Sequence, residues 1–306
     1  MVNHNSLTRR SFISMATAAT LGSTLPFAAA DTAMARRRIP GTTEDLPVIG
    51  LGTSDEFERM PADGGVELRE VLNTLLEYGG TLVDTAPGYG NAERVLGTLV
   101  ADDNMAERLF LSTKVRSRGR DAGLRSMQAS TELLGKAPLD LMMVHSLVDA
   151  ETQLDNLQHW KEEGRVRYIG ITTSRRSGFD RMEAFIKNRD LDFIQVNYSP
   201  LEPEAEERVI PAARDNGVAV MINRAFVNGR YFSMVRGHEL PAWAAEFDCD
   251  SWAQLSLKWI LGNSDVTSVL AATSRARHMA DNAAAGIGGL PDTAGRQRIR
   301  QLLTGM

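Results

Sequence analysis

The sequence predicts an α/β fold, a (β/α)8 TIM barrel preceded by a short N-terminal β-hairpin, and three observations carry that expectation. Eight short apolar runs alternate with stretches whose apolar residues recur at helical spacing, the rhythm of a parallel sheet. Successive runs begin roughly 25 to 30 residues apart, about one βαβ unit, and nothing resembling a linker interrupts them. Eight such units match a closed barrel of about 250 residues. The alternative, an open doubly wound sheet, calls for a Gly-rich fingerprint after an early strand. The chain has no G-x-G-x-x-G; Gly50-Leu51-Gly52 lacks the third glycine and enters no helix.

The first thirty of the 306 residues read as an address. A polar start, the pair Arg9-Arg10, a weakly apolar run from Ser11 to Phe27 and the small residues Ala28-Ala29-Ala30 form the pattern of a twin-arginine signal peptide over residues 1–30. A second cleavage pattern, Ala33-Met34-Ala35, sets the latest cleavage at residue 35 and leaves residues 36–306 as one barrel domain. A membrane anchor needs about 20 strongly apolar residues, whereas this run is diluted by Ser, Thr and Gly. The expected location is therefore the periplasm, with the twin-arginine export machinery as a partner and no stable membrane anchor after cleavage. Removing the leader takes away two arginines and no acid, which moves the net charge from −5 to −7. That balance argues against nucleic acid as a partner. The lone Cys249 excludes an intramolecular disulfide.

Taken in order, Arg36 to Thr53 has turn residues at Pro40-Gly41 and Glu44-Asp45 and an apolar run to Leu51, a small hairpin followed by a first strand. Arg36-Arg37-Arg38 reads as a solvated edge. Val66 to Tyr78 carries a helical face at Leu68, Val71, Leu72, Leu75 and Leu76, stopped by Gly79-Gly80. Further strands are expected at Leu82, Leu109 to Thr113, Leu139 to Val144, Tyr168 to Ile171, Phe193 to Val196, Val218 to Ile222 and Val266 to Leu270. Phe226 to Asp250 breaks the spacing by about twenty residues. It reads either as a lid or pocket wall on the C-terminal face of the barrel or as a packed surface loop.

Three strand ends carry polar residues that their apolar bodies do not require. The second ends in Asp84 with Tyr89 five residues on, the third in Lys114, the fourth in His145. Neighbouring strands of a barrel bring these ends to one rim. Each alone has an ordinary explanation: a loop cap, a snorkelling lysine, a satisfied core histidine, a packed phenol. Together they suggest proton handling, because an ammonium beside a phenol favours the phenolate and makes it a usable proton donor and acceptor.

In the words VDTAPGYGNAE, LSTKV and LMMVHS, these four residues resemble the catalytic tetrad of the aldo/keto reductases. The resemblance runs on through IGLGTS at 49–54, GRVRYIGITTS at 164–174, IQVNYSPLE at 194–202 and the ADN of 280–282. It implies an oxidoreductase that reduces an aldehyde or ketone, or oxidises the matching alcohol, with NADP(H) preferred and NAD(H) the alternative. It makes Tyr89 the general acid, Lys114 its activator, Asp84 the lysine's partner and His145 the group that orients the carbonyl. It also implies cofactor contacts at Thr53, Thr172, Thr173 and Gln195, and at Thr273, Ser274, Arg275 and Asn282 around the eighth strand. The last group would meet the adenosine phosphate at a helix start.

The chain departs from the family in places. The usual Ser-Asn after the fifth strand is Thr172-Thr173, which keeps hydroxyls but loses the amide. A tyrosine that stacks on the nicotinamide is replaced within Asn223-Arg224-Ala225-Phe226, so that Phe226 or Tyr198 would have to supply the stacking face. The Ile-Pro-Gly after the eighth strand is Leu270-Ala271-Ala272, and Arg275 or Arg277 would meet a 2′-phosphate. Two rival readings follow: a nucleotide-binding sensor or partner-binding barrel with little turnover, and a lyase or hydrolase of sugar derivatives using Asp84 and His145. No ligand-spaced histidine or cysteine accompanies His145, so no metal is indicated.

Overall fold

The computed structural model describes residues 33–306; the leader expected at residues 1–30 lies outside them. The hairpin is formed by β1 (Arg36–Arg38) and β2 (Asp45–Pro47), paired antiparallel with Arg36 opposite Pro47. Arg37 departs from the expected solvated edge. Its guanidinium donates to the carbonyls of Leu261, Asn263 and Val266, so it ties the hairpin to the far end of the chain.

Eight parallel strands follow: β3 (Ile49–Gly52), β4 (Leu82–Asp84), β5 (Phe110–Val115), β6 (Leu139–Val144), β7 (Val166–Thr173), β8 (Phe193–Asn197), β9 (Ala219–Asn223) and β10 (Ser268–Ala272). They close into a barrel in sequence order, with β10 pairing β3. The helices are α1 (Val66–Glu77), α2 (Ala92–Val100), α3 (Met105–Arg108), α4 (Arg120–Leu134), α5 (Ala150–Glu162), α6 (Phe179–Asn188), α7 (Val209–Asp215), α8 (Arg230–Met234), α9 (Trp252–Leu261), α10 (Ala276–Ala284) and α11 (Thr293–Thr304). No helix among the described residues is long and apolar enough to cross a membrane. Local chemistry sets the helix ends. Asp292 and Ser251 accept the Gly295 and Gln254 amides as N-caps, and Gly79 at φ 82 stops α1.

The strands are apolar on both faces because each face is buried, and the period of two sorts the side chains into two cores. Outward residues such as Ile49, Val83, Leu111, Met142, Ile171, Ile194 and Val220 join the layer beneath the helices. Inward residues Leu82, Phe110, Leu141, Met143, Phe193, Met221 and Leu270 fill the barrel, closed at one end by Ile39 and Leu46 of the hairpin. Gly170 is required here, since a Cβ would lie 2.2 Å from the Phe193 carbonyl oxygen. Further along β4, β5, β7, β8 and β9 the inward positions become polar: Asp84, Lys114, Thr172, Gln195, Asn197 and Asn223. The interior is thus an apolar plug under a polar mouth.

The long interval after β9 is packed at both ends. Tyr231 is fully buried and donates to the Trp252 carbonyl at 2.8 Å, and Trp252 Nε1 donates to the His238 carbonyl at 3.0 Å. Phe226, Tyr231 and Phe232 cluster within it. The loop is thus anchored to α9 through Tyr231 and Trp252.

Candidate active site

Asp84 is the last residue of β4 and its side chain faces the mouth. Its Oδ1 accepts from Ser112 Oγ at 2.8 Å and its Oδ2 from Lys114 Nζ at 2.5 Å. Ser112 and Lys114 stand two apart on β5, hence on the same face. Lys114 also donates to the Thr85 carbonyl at 2.8 Å and is completely buried. Burial alone would drive its proton off; Asp84 and then Tyr89 outweigh that and raise its pKa above the usual lysine value. The ammonium is therefore held as a fixed positive charge inside the barrel wall.

Tyr89 comes from the turn between β4 and α2. Its amide donates to Ala86 O, its carbonyl accepts the Ala92 amide, and Gly90 at φ 58 lets the chain enter α2 directly behind it. The ring stands over Lys114, with Nζ 5.1 Å from its centroid, and is only half-buried. Thr113, on the opposite face of β5, donates to Glu93 Oε1 at 2.5 Å and so braces α2 against the strand that carries Lys114. Burial raises the Glu93 pKa against the hydrogen bond from Thr113.

His145 follows β6 and meets Tyr89 edge to face, with centroids 5.8 Å apart and planes at 87°. Burial, then Lys114 and Arg116, lower its pKa to about 4, so it is neutral at physiological pH. Its Nδ1 is buried without a hydrogen-bond partner among the described residues. Asp84, Tyr89, Lys114 and His145 therefore lie together: a half-exposed phenol, a permanent cation behind it, a neutral imidazole beside it. Such a cluster can give a proton to an oxygen atom at the mouth and take one back.

The residues proposed from sequence to hold a nucleotide fall into three groups. Thr172, Gln195 and Asn223 form one chain at the mouth: Thr172 Oγ1 donates to Gln195 Oε1 at 3.1 Å and Asn223 Nδ2 donates to the same oxygen at 3.3 Å. Arg224, at φ 55, turns its guanidinium to the Ser174 carbonyl at 3.3 Å. A second group is engaged in local turns. Thr53 donates through its hydroxyl and its amide to Asp84 O. Thr173 and Thr273 begin the same word, Thr-Ser-Arg, after β7 and β10, and each Oγ1 accepts the amide of the arginine two residues on, Arg175 at 3.3 Å and Arg275 at 3.1 Å. Ser274 is half-buried, Arg275 is exposed, and Asn282 is buried on α10. At the start of α10 the Ala276 amide already donates to Glu67 Oε1 at 3.1 Å.

The third group is the two aromatic residues, of which Tyr198 does not reach the mouth. Tyr198 follows Asn197 and points outward by the strand alternation. It is fully buried, its ring lies 4.9 Å from Trp259, and its hydroxyl bonds Glu206, Asn263 and Arg296. A side chain sealed under α9 and α11 cannot offer a stacking face, which corrects the expectation placed on it. Phe226 packs on Phe232, with centroids 4.7 Å apart, inside the loop after β9. Two residues at the mouth went unread in the sequence, Ser112 and Asn197; each was open to the same two-residue alternation that picks out Lys114 and Gln195.

The comparisons agree with the fold. The model of the aldo/keto reductase family matches residues 48–294. The NADH-specific methylglyoxal reductase of Escherichia coli strain K12 is 24% identical over 308 residues, covering 81% of this chain and 93% of that protein. An aldo-keto reductase from Klebsiella pneumoniae, solved in complex with NADPH, superposes with a TM-score of 0.74 at 21% identity, over 90% of this chain and 95% of that one. The holo form of an aldo-keto reductase from Bacillus halodurans gives 0.71 at 21% identity, over 88% and 96%.

Proposed function

This chain belongs to the aldo/keto reductase family, and from that premise we propose that it reduces an aldehyde or ketone, or oxidises the matching alcohol, with Tyr89 as the general acid and base. It is an oxidoreductase of the type that acts on CH–OH with NAD(P). The observation that carries the Tyr89 assignment is the buried Lys114–Asp84 pair beneath a half-exposed tyrosine. Tyr89 gives its hydroxyl proton to the carbonyl oxygen as the carbon is reduced, and the Lys114 ammonium stabilises the phenolate left behind. Asp84, held by Ser112, keeps that ammonium in place. The neutral His145 meets the phenol edge to face, where the imidazole would orient the same oxygen.

The mouth fits a nicotinamide dinucleotide on one structural ground: buried amide atoms of Gln195, Asn197 and Asn223 lack partners among the described residues. When bound, such a cofactor supplies the hydride. Thr172, Gln195 and Asn223 would hold its nicotinamide end, and Thr273, Ser274, Arg275 and Asn282 its adenosine end. The exposed Arg275 favours NADP(H), and the relative specific for NADH keeps NAD(H) in view. Export by the twin-arginine route belongs to the same proposal: the barrel would cross the membrane folded, with its nucleotide aboard. Protein purified from the periplasm should then carry NADP(H) or NAD(H); nucleotide-free protein with no affinity for either would sink this part.

Consumption of NADPH and of NADH against a panel of aldehydes, ketones and sugars tests the reaction. Turnover of at least one carbonyl is expected. Tight nucleotide binding with no turnover across the panel would instead support a sensor.

A further inference from the structure

Three amide side chains meet at the ends of β8 and β9, and their hydrogen bonds do not close. Thr172 lies opposite Gln195 and Asn197 opposite Asn223 in the strand register, so the four share one inward patch. Gln195 and Asn197 are 2% and 6% exposed. Gln195 Oε1 accepts from both Thr172 and Asn223, which leaves Gln195 Nε2 and Asn223 Oδ1 unpartnered among the described residues. Asn197 Nδ2 donates to Glu202 Oε2 at 3.1 Å, which leaves Asn197 Oδ1 unpartnered in the same way. A carboxylate opposite Asn197 demands the donor there, so that amide's orientation is fixed. Turning Gln195 and Asn223 over together exchanges donor for acceptor between them and preserves the tally. Either way the patch offers one free N–H donor and two free carbonyl acceptors.

A buried polar group is expected to find a partner, from the protein, from water or from a ligand. One donor with two acceptors is the complement of a primary carboxamide, which presents one carbonyl oxygen and an NH2 with two hydrogens. The hydroxyl protons after β7 are already engaged, Thr172 on Gln195 and Thr173 on the Arg175 carbonyl, so neither is free to donate to the carboxamide oxygen. We infer that Asn197 and Asn223 are positioning residues that accept the two N–H groups of the nicotinamide carboxamide while the remaining amide N–H meets its oxygen. The inference rests on the dinucleotide reading given above. Its consequence is a ring oriented by its edge, through amides of β8 and β9.

The test is binding of NADP+ and NAD+ compared with their 3-acetylpyridine analogues, which keep the carbonyl and replace NH2 by methyl. Dissociation constants are read by tryptophan fluorescence or calorimetry. Wild-type protein is expected to bind the analogue at least about tenfold more weakly than the natural dinucleotide, two charge-neutral hydrogen bonds being lost into buried acceptors. Asn197→Ala and Asn223→Ala should weaken the natural dinucleotide while leaving the analogue nearly unchanged, so that the discrimination shrinks. Asn223→Asp, which keeps an acceptor, should retain it. Equal binding of dinucleotide and analogue by the wild-type protein would overturn the inference and leave the dinucleotide reading standing, with no variant needed. Failure of both dinucleotides and both analogues to bind would remove that reading, and the inference with it.

Discussion

Lys114 Nζ donates to Asp84 Oδ2 at 2.5 Å, with the lysine side chain sealed from solvent and the aspartate 4% exposed. A pair so buried stabilises only as a pair, because removing one partner strands the other's charge. Lys114→Met should therefore cost about 3–5 kcal/mol. Adding Asp84→Asn to it should recover part of that loss, since the stranded carboxylate is gone. Urea unfolding of the two single variants and the double variant reads the coupling; additive losses would show that the two groups do not depend on each other.

His145 makes the protein acid-sensitive. Burial and the neighbouring cations hold its pKa down to about 4 in the folded protein, against an ordinary histidine value of 6.5. Between those values the unfolded chain binds a proton that the folded chain refuses, so stability rises with pH across this window. Above about 6.5 the effect is absent; as pH falls towards 4 it grows to at most about 3 kcal/mol. His145→Gln should flatten this part of the profile, measured as the urea midpoint at pH 7.5, 5.5 and 4.5. Parallel profiles for variant and wild type would assign the acid sensitivity elsewhere.

Glu67 places a carboxylate on the first amide of α10, where the adenosine end of the cofactor is proposed to lie. A 2′-phosphate there would meet like charge and lose a backbone donor. Glu67→Gln is expected to shift the ratio of NADPH to NADH affinity several-fold towards NADPH. A ratio unchanged by the substitution would mean that the adenosine end lies clear of this helix start.

Met34 and Ala35 belong to the folded domain. Met34 is 5% exposed, the Ala35 amide donates to Gly286 O at 2.8 Å, and the Ala35 carbonyl accepts the Val48 amide at 3.0 Å. A chain beginning at Arg36 loses one buried methionine and two backbone bonds, about 2–4 kcal/mol together. Exported protein should therefore begin at Asp31, as N-terminal sequencing will report. A start at Arg36, with the thermal midpoint unchanged between the two forms, would contradict the structural role given to these residues.

What could be read from the sequence was what strand periodicity carries. Asp84 and Lys114 stand out because an apolar run has no local use for a buried charge at its end, and the barrel's neighbour order then sets their strands side by side. The same alternation, pressed further, exposes Ser112 two before Lys114 and Asn197 two after Gln195, and turns Tyr198 outward. Reading Tyr198 as a stacking face ignored its odd register against Gln195. Other relations were beyond any local pattern. Glu67 and Ala276 are 209 residues apart, and their contact exists because the barrel closes β10 onto β3. Arg37 likewise looks like surface charge until the end of α9 is brought to it. The loop after β9 has the composition of a lid, and only the burial of Tyr231 shows that it is anchored.

The central claim is that Tyr89 supplies the proton, and Tyr89→Phe tests it most directly. The substitution keeps the ring against His145 and over Lys114 and removes only the hydroxyl. On any carbonyl that the wild-type protein turns over, kcat/KM should fall by about 100-fold or more, with the dissociation constant for the dinucleotide unchanged within about twofold. Equal kcat/KM in the two proteins would contradict the account.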